Sequence, residues 1–463
     1  MVERAGAAPT PYIPNTDADR ATMLARLGLT STEVLFDELP DAHRDPAIAL
    51  PPALSELELV EHLRELAGRN WAGGGRPSFL GAGAYRRFVP AITGSLTARS
   101  EFMTAYTPYQ PEISQGTLQS GFEYQSVVCE LTGLNVSNTG LYDVASATAE
   151  ACLLAARVTK RTVVALLEPL HPGTADVIRT YASGSGLRVD SIQSAEEVSA
   201  EHAALVVQQP DFLGTIHDIE EVADTAHGAG ALCVTVADPL ALGFLRAPGE
   251  AGADIVTGEG RDLAGPVGFG GPSLGLFAAR TEYLRQLPGR IVGRTQELQG
   301  PLRDNGDEAP PRTGYVLTLQ AREQFIRRER ATSNFSTGQS LLALAFTITL
   351  QALGPQGLRE LAELCYQKAH DAAARVAQVP GYEVVELGPW FQEFLIRGPL
   401  PPAALSQALE EQGIEGGLPV SLRAEPETSD AMLMCVTEMT TEEEVAALVE
   451  ALTTIGTATG ARS

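Results

Sequence analysis

Short runs of consecutive apolar, β-branched residues alternate with helix-spaced patterns through the middle of the chain. Thr162–Leu167 (TVVALL), Ala204–Val207 and Leu232–Val236 read as strands, and Ile219–His227 reads as the helix between two of them. Unbroken apolar runs predict strands buried on both faces, so residues 76–335 are expected to form a large, mainly parallel sheet covered by helices. Ligands in such sheets gather at the carboxyl ends of the strands. Ahead of this region the pattern is helical. Thr16-Asp17-Ala18-Asp19 and Ser55-Glu56-Leu57-Glu58 resemble capping boxes, and the second opens a segment with Leu57, Val60, Leu63 and Leu66 on one face. Gly68 and Gly73–Gly75 stop it, so residues 1–75 are read as an N-terminal helical arm. A long helix is expected from about Thr337, with Thr332-Ser333-Asn334 as its cap. Residues 336–463 then mix helix with the short strands Phe394–Ile396 and Met432–Val436 and close on the acidic amphipathic stretch Thr441–Leu452, a smaller C-terminal α/β domain. The polar segment Gln296–Gly314 reads as a mobile surface loop.

Composition narrows the function. A chain of 463 residues, 44% hydrophobic, can bury a large core and supports two domains. It has no run of eighteen apolar residues, so no membrane span is expected, and Met1–Gly6 lacks the basic-then-apolar pattern of an export leader. Five cysteines stand far apart without CxxC spacing and are read as reduced core thiols, consistent with a cytoplasmic protein. The net charge of −25 repels phosphate backbones, so a nucleic-acid partner is not expected. The seven histidines show no ligand spacing, and no metal site is expected. The most informative count is of lysine: only two, Lys160 and Lys368, stand among 33 basic residues. Arginine cannot form a Schiff base, so any lysine-dependent covalent chemistry uses one of two positions or comes from another chain.

The densest candidate segment is Ser100–Gly116 (SEFMTAYTPYQPEISQG). Pro108 and Pro111 forbid a helix there and fix an extended or turning backbone. A rigid loop of this kind can hold tyrosines, an amide and a carboxylate in one place, which suits a small zwitterion; read from residue types alone, it is more commonly an ordered loop packing its aromatics on the core. Gly258-Glu259-Gly260 and Phe269-Gly270-Gly271-Pro272 permit close backbone approach but are ordinary turns by themselves. Arg327-Arg328-Glu329-Arg330 reads as an anion site or, more commonly, a solvated helical face.

These segments resemble those of a known family. Pro11–Thr16 (PYIPNT), Phe79–Gly83 (FLGAG), the whole Ser100–Gly116 run, Val236–Leu240 (VADPL), Gly249-Glu250, Gly252–Val256, Phe269–Pro272, Pro288-Gly289-Arg290 and Leu317–Gln320 with Arg322-Glu323-Gln324 are similar to the alpha chain (subunit 1) of two-chain glycine decarboxylases, the P-proteins of the glycine cleavage system. The likeness spans about residues 11–455.

The resemblance implies a fold-type-I architecture like that of pyridoxal-phosphate transferases. It implies a lysine-bearing beta chain (subunit 2) that carries pyridoxal 5'-phosphate covalently, in an α2β2 assembly, with glycine as substrate and lipoylated H-protein as acceptor. The stretch corresponding to the cofactor-lysine turn, Val256–Asp262, holds no lysine. Tyr106, Tyr109 and Glu112 are the implied catalytic residues, and Thr107, Gln110, Ser114, Gln115 and Asn334 are expected to face substrate or cofactor. The chain departs from the family pattern at Val144-Ala145, at Phe335–Gly338 and in the long Gln296–Gly314 loop. Those departures leave two alternatives open: a specialised paralogue acting on another small amino or hydrazino acid, and a non-catalytic assembly or regulatory subunit.

Overall fold

The computed structural model describes residues 14–44, 49–70, 76–268, 270–298, 300, 309–319, 326–420 and 431–460. The chain divides into two compact units, Met1–Gly74 and Gly75–Ser463. Pro11–Ile13, Gly73–Gly75, Phe269 and Gln320–Gln324, which carry part of the sequence reading, lie outside the described residues.

The first unit holds α1 (Asp17–Leu27) and α2 (Glu56–Ala67). Both predicted capping boxes form. The Thr16 hydroxyl accepts the Asp19 N–H while the Asp19 carboxylate accepts the Thr16 N–H at 2.8 Å, and Ser55 and Glu58 do the same at 2.9 Å. Each box satisfies two amides that a helix start otherwise leaves bare. The apolar stripe Leu57, Val60, Leu63 and Leu66 is exposed.

The second unit begins with α3 (Ala91–Thr97), α4 (Ser100–Met103) and α5 (Gln115–Thr132). The sheet region follows in chain order: β1 (Val136–Ser137), α6 (Val144–Thr159), β2 (Val163–Leu167), α7 (Pro172–Ser185), β3 (Arg188–Ile192), β4 (His202–Gln209), α8 (Ile219–Gly228), β5 (Leu232–Ala237), β6 (Ile255–Glu259) and β7 (Gly275–Ala279). These strands make one seven-stranded sheet in the order β1-β7-β6-β5-β4-β2-β3. β3, β2, β4, β5 and β6 pair in parallel, and β7 and β1 are antiparallel additions at one edge. The apolar runs of β2, β4 and β5 are buried almost throughout, because α6 and α7 cover one face and α5 and α8 the other.

β8 (Ile291–Gln296) and β9 (Thr313–Thr318) form a separate antiparallel ribbon. Both ends of the segment expected to be a loop are therefore strand, and its centre, 301–308, lies outside the described residues. Thr332-Ser333-Asn334 does not cap a helix: the chain runs without regular structure to Gln339, and α9 (Ser340–Val376) starts there. Ser333 instead spends its hydroxyl on Glu150 of α6. α9 breaks at Gly354, whose φ of 66° precedes Pro355, since proline has no N–H to give and its ring clashes with the preceding turn. The remainder holds β10 (Glu383–Val385), β11 (Glu393–Arg397), α10 (Pro402–Glu411), β12 (Leu418–Val420), β13 (Ala431–Cys435) and α11 (Glu442–Gly460). Its four-stranded sheet, β10-β11-β13-β12, is antiparallel and packs Phe394, Met432 and Met434 against α9 and α11.

Candidate active site

The parallel strands end together at a crevice of about 500 Å3. The turns after β4, β5 and β6 deliver Asp211, Asp238 and Glu259–Arg261, the start of α7 brings His171 and Gly173, and the N-terminus of α6 brings Asp143–Ala145. Ala82–Tyr85 with Arg87, and Phe391–Glu393 at the start of β11, close the other side.

Charge in this crevice is tightly committed. Arg87, buried, donates to Glu438 at 3.0 Å and to the Gln392 side-chain oxygen Oε1 at 2.8 Å; the Gln392 side-chain amide in turn donates to Asp238 at 3.1 Å. Asp238 also accepts the Leu240 N–H at 2.9 Å, and burial raises its carboxyl above the ordinary range despite Arg87 nearby. Glu393 accepts the Ala82 N–H at 2.6 Å and the Tyr85 hydroxyl at 2.8 Å, and burial lifts its carboxyl to about 7. Burial lowers His171, so its ring is neutral at physiological pH.

Whether this crevice fits pyridoxal phosphate is decided by two requirements, a lysine for the Schiff base and a free anion seat for the phosphate. The turn after β6 presents Arg261, which is bound to Asp262 at 2.9 Å and to the Gly83 carbonyl at 2.9 Å. Lys368 donates to the carbonyls of Glu438 and Thr440, both at 2.7 Å. Lys160 stands at the far end of α6, some ~24 Å of helix from the end that meets the crevice. That near end already holds carboxylates: Asp143 accepts the Ser146 N–H at 2.7 Å, and Glu259 accepts the Val144 N–H at 3.4 Å. Glu259 is fixed there by the Arg261 and Leu274 amides at 3.0 and 2.8 Å. The residues present do not fit a Schiff-base cofactor in this chain.

The tyrosine-proline segment lies elsewhere. Among the described residues, no residue of Ser100–Gln115 lines the crevice. The segment runs from α4 to α5 at the surface, with Tyr106 92% exposed and Ile113 80% exposed. Gln110, Glu112 and Gln115 are exposed, and Thr107, Tyr109 and Ser114 are half-buried. Its base is well held. Arg290 donates to the Tyr109 hydroxyl at 3.0 Å, sits 5.2 Å from the centre of that ring and also donates to the Ser336 carbonyl. Gln115 spends its side chain on structure: its amide donates to the carbonyls of Pro111 and Tyr315 at 2.7 and 2.9 Å, and its oxygen accepts the Tyr315 N–H at 2.8 Å, tying the loop to β9. Ser114 precedes α5 without capping it through its side chain.

Tyr109 is thus brought to Arg290 and Ser336, whereas Asn334 is exposed on a different concavity with Glu150. The departure at Phe335 has a packing explanation: its ring is buried, 4.2 Å from that of Tyr142. Sequence reasoning passed over Arg290 as a positioning cation and Glu259 as an internal anion. Pro288-Gly289-Arg290 was visible only as a family segment, and nothing in the spacing of Glu259 announces that it meets a helix more than a hundred residues earlier.

A family model described as glycine cleavage system P-protein matches residues 10–452. The probable glycine dehydrogenase (decarboxylating) subunit 1 of Thermomicrobium roseum is 45% identical over 453 residues, covering 95% of this chain and 98% of that protein. Its namesake from Moorella thermoacetica is 45% identical over 452 residues, with the same coverage of 95% and 98%. A crystal structure of glycine decarboxylase (P-protein) in inhibitor-bound form superposes with a TM-score of 0.86 at 43% identity, over 96% of this chain and 100% of that one. A sphingosine-1-phosphate lyase from Burkholderia pseudomallei, 17% identical with a TM-score of 0.60 over 89% of this chain and 93% of that one, shares the fold alone. The large mainly parallel sheet with its smaller C-terminal sheet is the fold-type-I architecture expected from the sequence.

Proposed function

The chain belongs to the glycine cleavage system P-protein family, as subunit 1 of a two-subunit glycine dehydrogenase (decarboxylating), and from that premise we propose that it is one half of a divided active site. In this reading a second subunit carries pyridoxal 5'-phosphate on its own lysine, the chains assemble as α2β2, and glycine is held against the Ser100–Gln115 loop. Glycine loses carbon dioxide and its aminomethyl group passes to the lipoyl arm of H-protein. The cofactor on the second subunit supplies the electron sink for that chemistry.

This chain's own part is to bind, orient and move protons. Tyr106, Gln110 and Glu112 are exposed on one loop. A phenol and an amide can donate to a substrate carboxylate, and a glutamate can accept from an ammonium, so a small zwitterion finds complementary groups. Holding the carboxylate in one orientation reduces the entropic part of the barrier, and Tyr or Glu can relay a proton. Arg290 positions Tyr109 within that wall, and Gln115 anchors the loop to β9. The exposed Tyr106 and Ile113 are expected to be covered by the second subunit, across a permanent interface of more than ~2,000 Å2.

The observation that carries this reading is a mismatch inside one chain. Its own crevice offers Arg261 where a Schiff-base lysine would be required, while its loop of reactive side chains contributes nothing to that crevice. The test is glycine-dependent exchange of bicarbonate by this chain, by its second subunit, and by both with H-protein. Exchange is expected only in the full mixture. A stable complex inert toward glycine would shift the reading to another small amino acid, and exchange by this chain alone would refute it.

A further inference from the structure

Outside the crevice and the tyrosine loop, a groove of about 1,040 Å3 lies between α6, α7 and the Arg328–Asn334 segment. Glu150 of α6 lines it and is only 1% exposed. One of its carboxylate oxygens accepts a hydrogen bond from the Ser333 hydroxyl at 3.0 Å; the other, Oε2, is buried with no hydrogen-bond partner among the described residues. Leaving a buried carboxylate oxygen without a donor is unfavourable, because nothing replaces the water it has lost. Burial accordingly lifts this carboxyl to about 7, against the opposing pull of Ser333 and Arg157.

The rest of the groove is basic. Arg157, Lys160, Arg161 and Arg328 line it, and Glu150 is the one carboxylate among its described lining residues. Arg157 is bound to Gln286, and Arg161 to the carbonyls of His202 and Ala229 at 2.8 and 3.0 Å. Lys160 and Arg328 are exposed, and among the described residues neither forms an ion pair. Both also carry positive φ, 62° and 51°, two of four such non-glycine residues among the described residues. That backbone is unfavourable for a residue with a Cβ, and Lys160 holds it at the end of α6, where glycine is the usual choice. In a chain of net charge −25 with two lysines, one of the two is thus spent in a strained conformation on this groove.

We propose that the groove binds a hydroxylated organic phosphate, of the sugar-phosphate class, with its phosphate on Lys160 and Arg328 and a hydroxyl donating to Glu150 Oε2. Two uncommitted cations match a dianion, whereas a zwitterion would leave one of them uncompensated. The orphaned oxygen asks for a donor, which a bare phosphate dianion lacks. The carbonyl end of α6 lies at the same rim and repels anions, so the phosphate depends on both side chains. This site is independent of the glycine reading.

The test is calorimetric titration of ribose 5-phosphate, inorganic phosphate and ribose into the chain, alone and complexed with its second subunit, at pH 7 and low salt. Ribose 5-phosphate is expected to bind saturably in both preparations, inorganic phosphate more weakly and ribose not at all. Lys160→Gln, at an exposed position, should weaken ribose 5-phosphate at least tenfold, and Glu150→Gln should erase most of its advantage over inorganic phosphate, with melting curves separating lost binding from lost fold. Absence of saturable binding overturns the proposal, as does wild-type affinity in Lys160→Gln. Equal binding of inorganic phosphate and ribose 5-phosphate overturns it too, leaving a simple anion patch. Binding by the free chain that vanishes in the complex overturns it as well, because the groove would then be subunit interface.

Discussion

Replacing Arg290 tests whether the tyrosine loop works by being held still. Arg290 makes one hydrogen bond to the Tyr109 hydroxyl at 3.0 Å, lies 5.2 Å from the ring centre and donates to the Ser336 carbonyl. A hydrogen bond from a charged donor contributes roughly 1.5–3 kcal/mol, and a half-exposed cation over an aromatic ring about 0.5–1 kcal/mol. Half-exposure of this group and re-solvation of the freed hydroxyl discount both, leaving about 1.5–2 kcal/mol of positioning. At 1.36 kcal/mol per decade, Arg290→Met should lower kcat/KM for glycine-dependent exchange about 10–30-fold in the reconstituted complex. Folding should survive, because Arg290 is only half-buried and its contacts are with loops. Arg290→Lys should recover only part, since an ammonium cannot serve the phenol, the ring face and the carbonyl together. Exchange at the wild-type rate by a folded Arg290→Met complex would refute the reasoning and remove Tyr109 from the wall.

Three further outcomes follow from the buried network and the closed crevice. Glu393 has a folded value of about 7 against an ordinary 4.5, so the folded state holds its proton more tightly, and the stability this contributes is present below about 4.5 and lost as pH rises through about 7. Glu393→Gln should therefore melt higher than the wild type at pH 8 and show a smaller difference at pH 5.5; a larger gain at pH 5.5 would contradict this. Gly214→Ala should fail to fold or lose more than ~3 kcal/mol in denaturant titration, because φ there is 89° and a Cβ would strike the Glu393 carbonyl. Arg261→Lys should still leave the chain unable to take up pyridoxal phosphate in a spectrophotometric titration, because Glu259 keeps its place on the α6 N-terminus.

Much of the sheet was legible because its strands are buried on both faces and so cannot alternate. Ala204–Val207 and Leu232–Val236 each fall within an observed parallel strand, and Thr162–Leu167 matches another from Val163 onward. Gly354-Pro355 is a break that residue type alone dictates, yet it sits inside an apolar run that reads as one helix. The Thr332–Asn334 misreading has a local cause: Ser and Thr suit helix caps, but Ser333 found a carboxylate 183 positions away in sequence. The crevice was foreseeable as a place, at the carboxyl ends of the strands, and not as a list of residues. Arg87, Asp238, Gln392 and Glu438 come together from four distant segments, and only the lysine count hinted that this crevice is not the seat of the covalent chemistry.

The most direct measurement of the divided-site account is to locate the cofactor. The reconstituted complex, loaded with pyridoxal phosphate, is reduced with borohydride to fix any Schiff base, and both chains are digested and read by mass spectrometry. The account predicts the adduct on a lysine of the second subunit and none on Lys160 or Lys368. A stoichiometric adduct on either of those two lysines would contradict it.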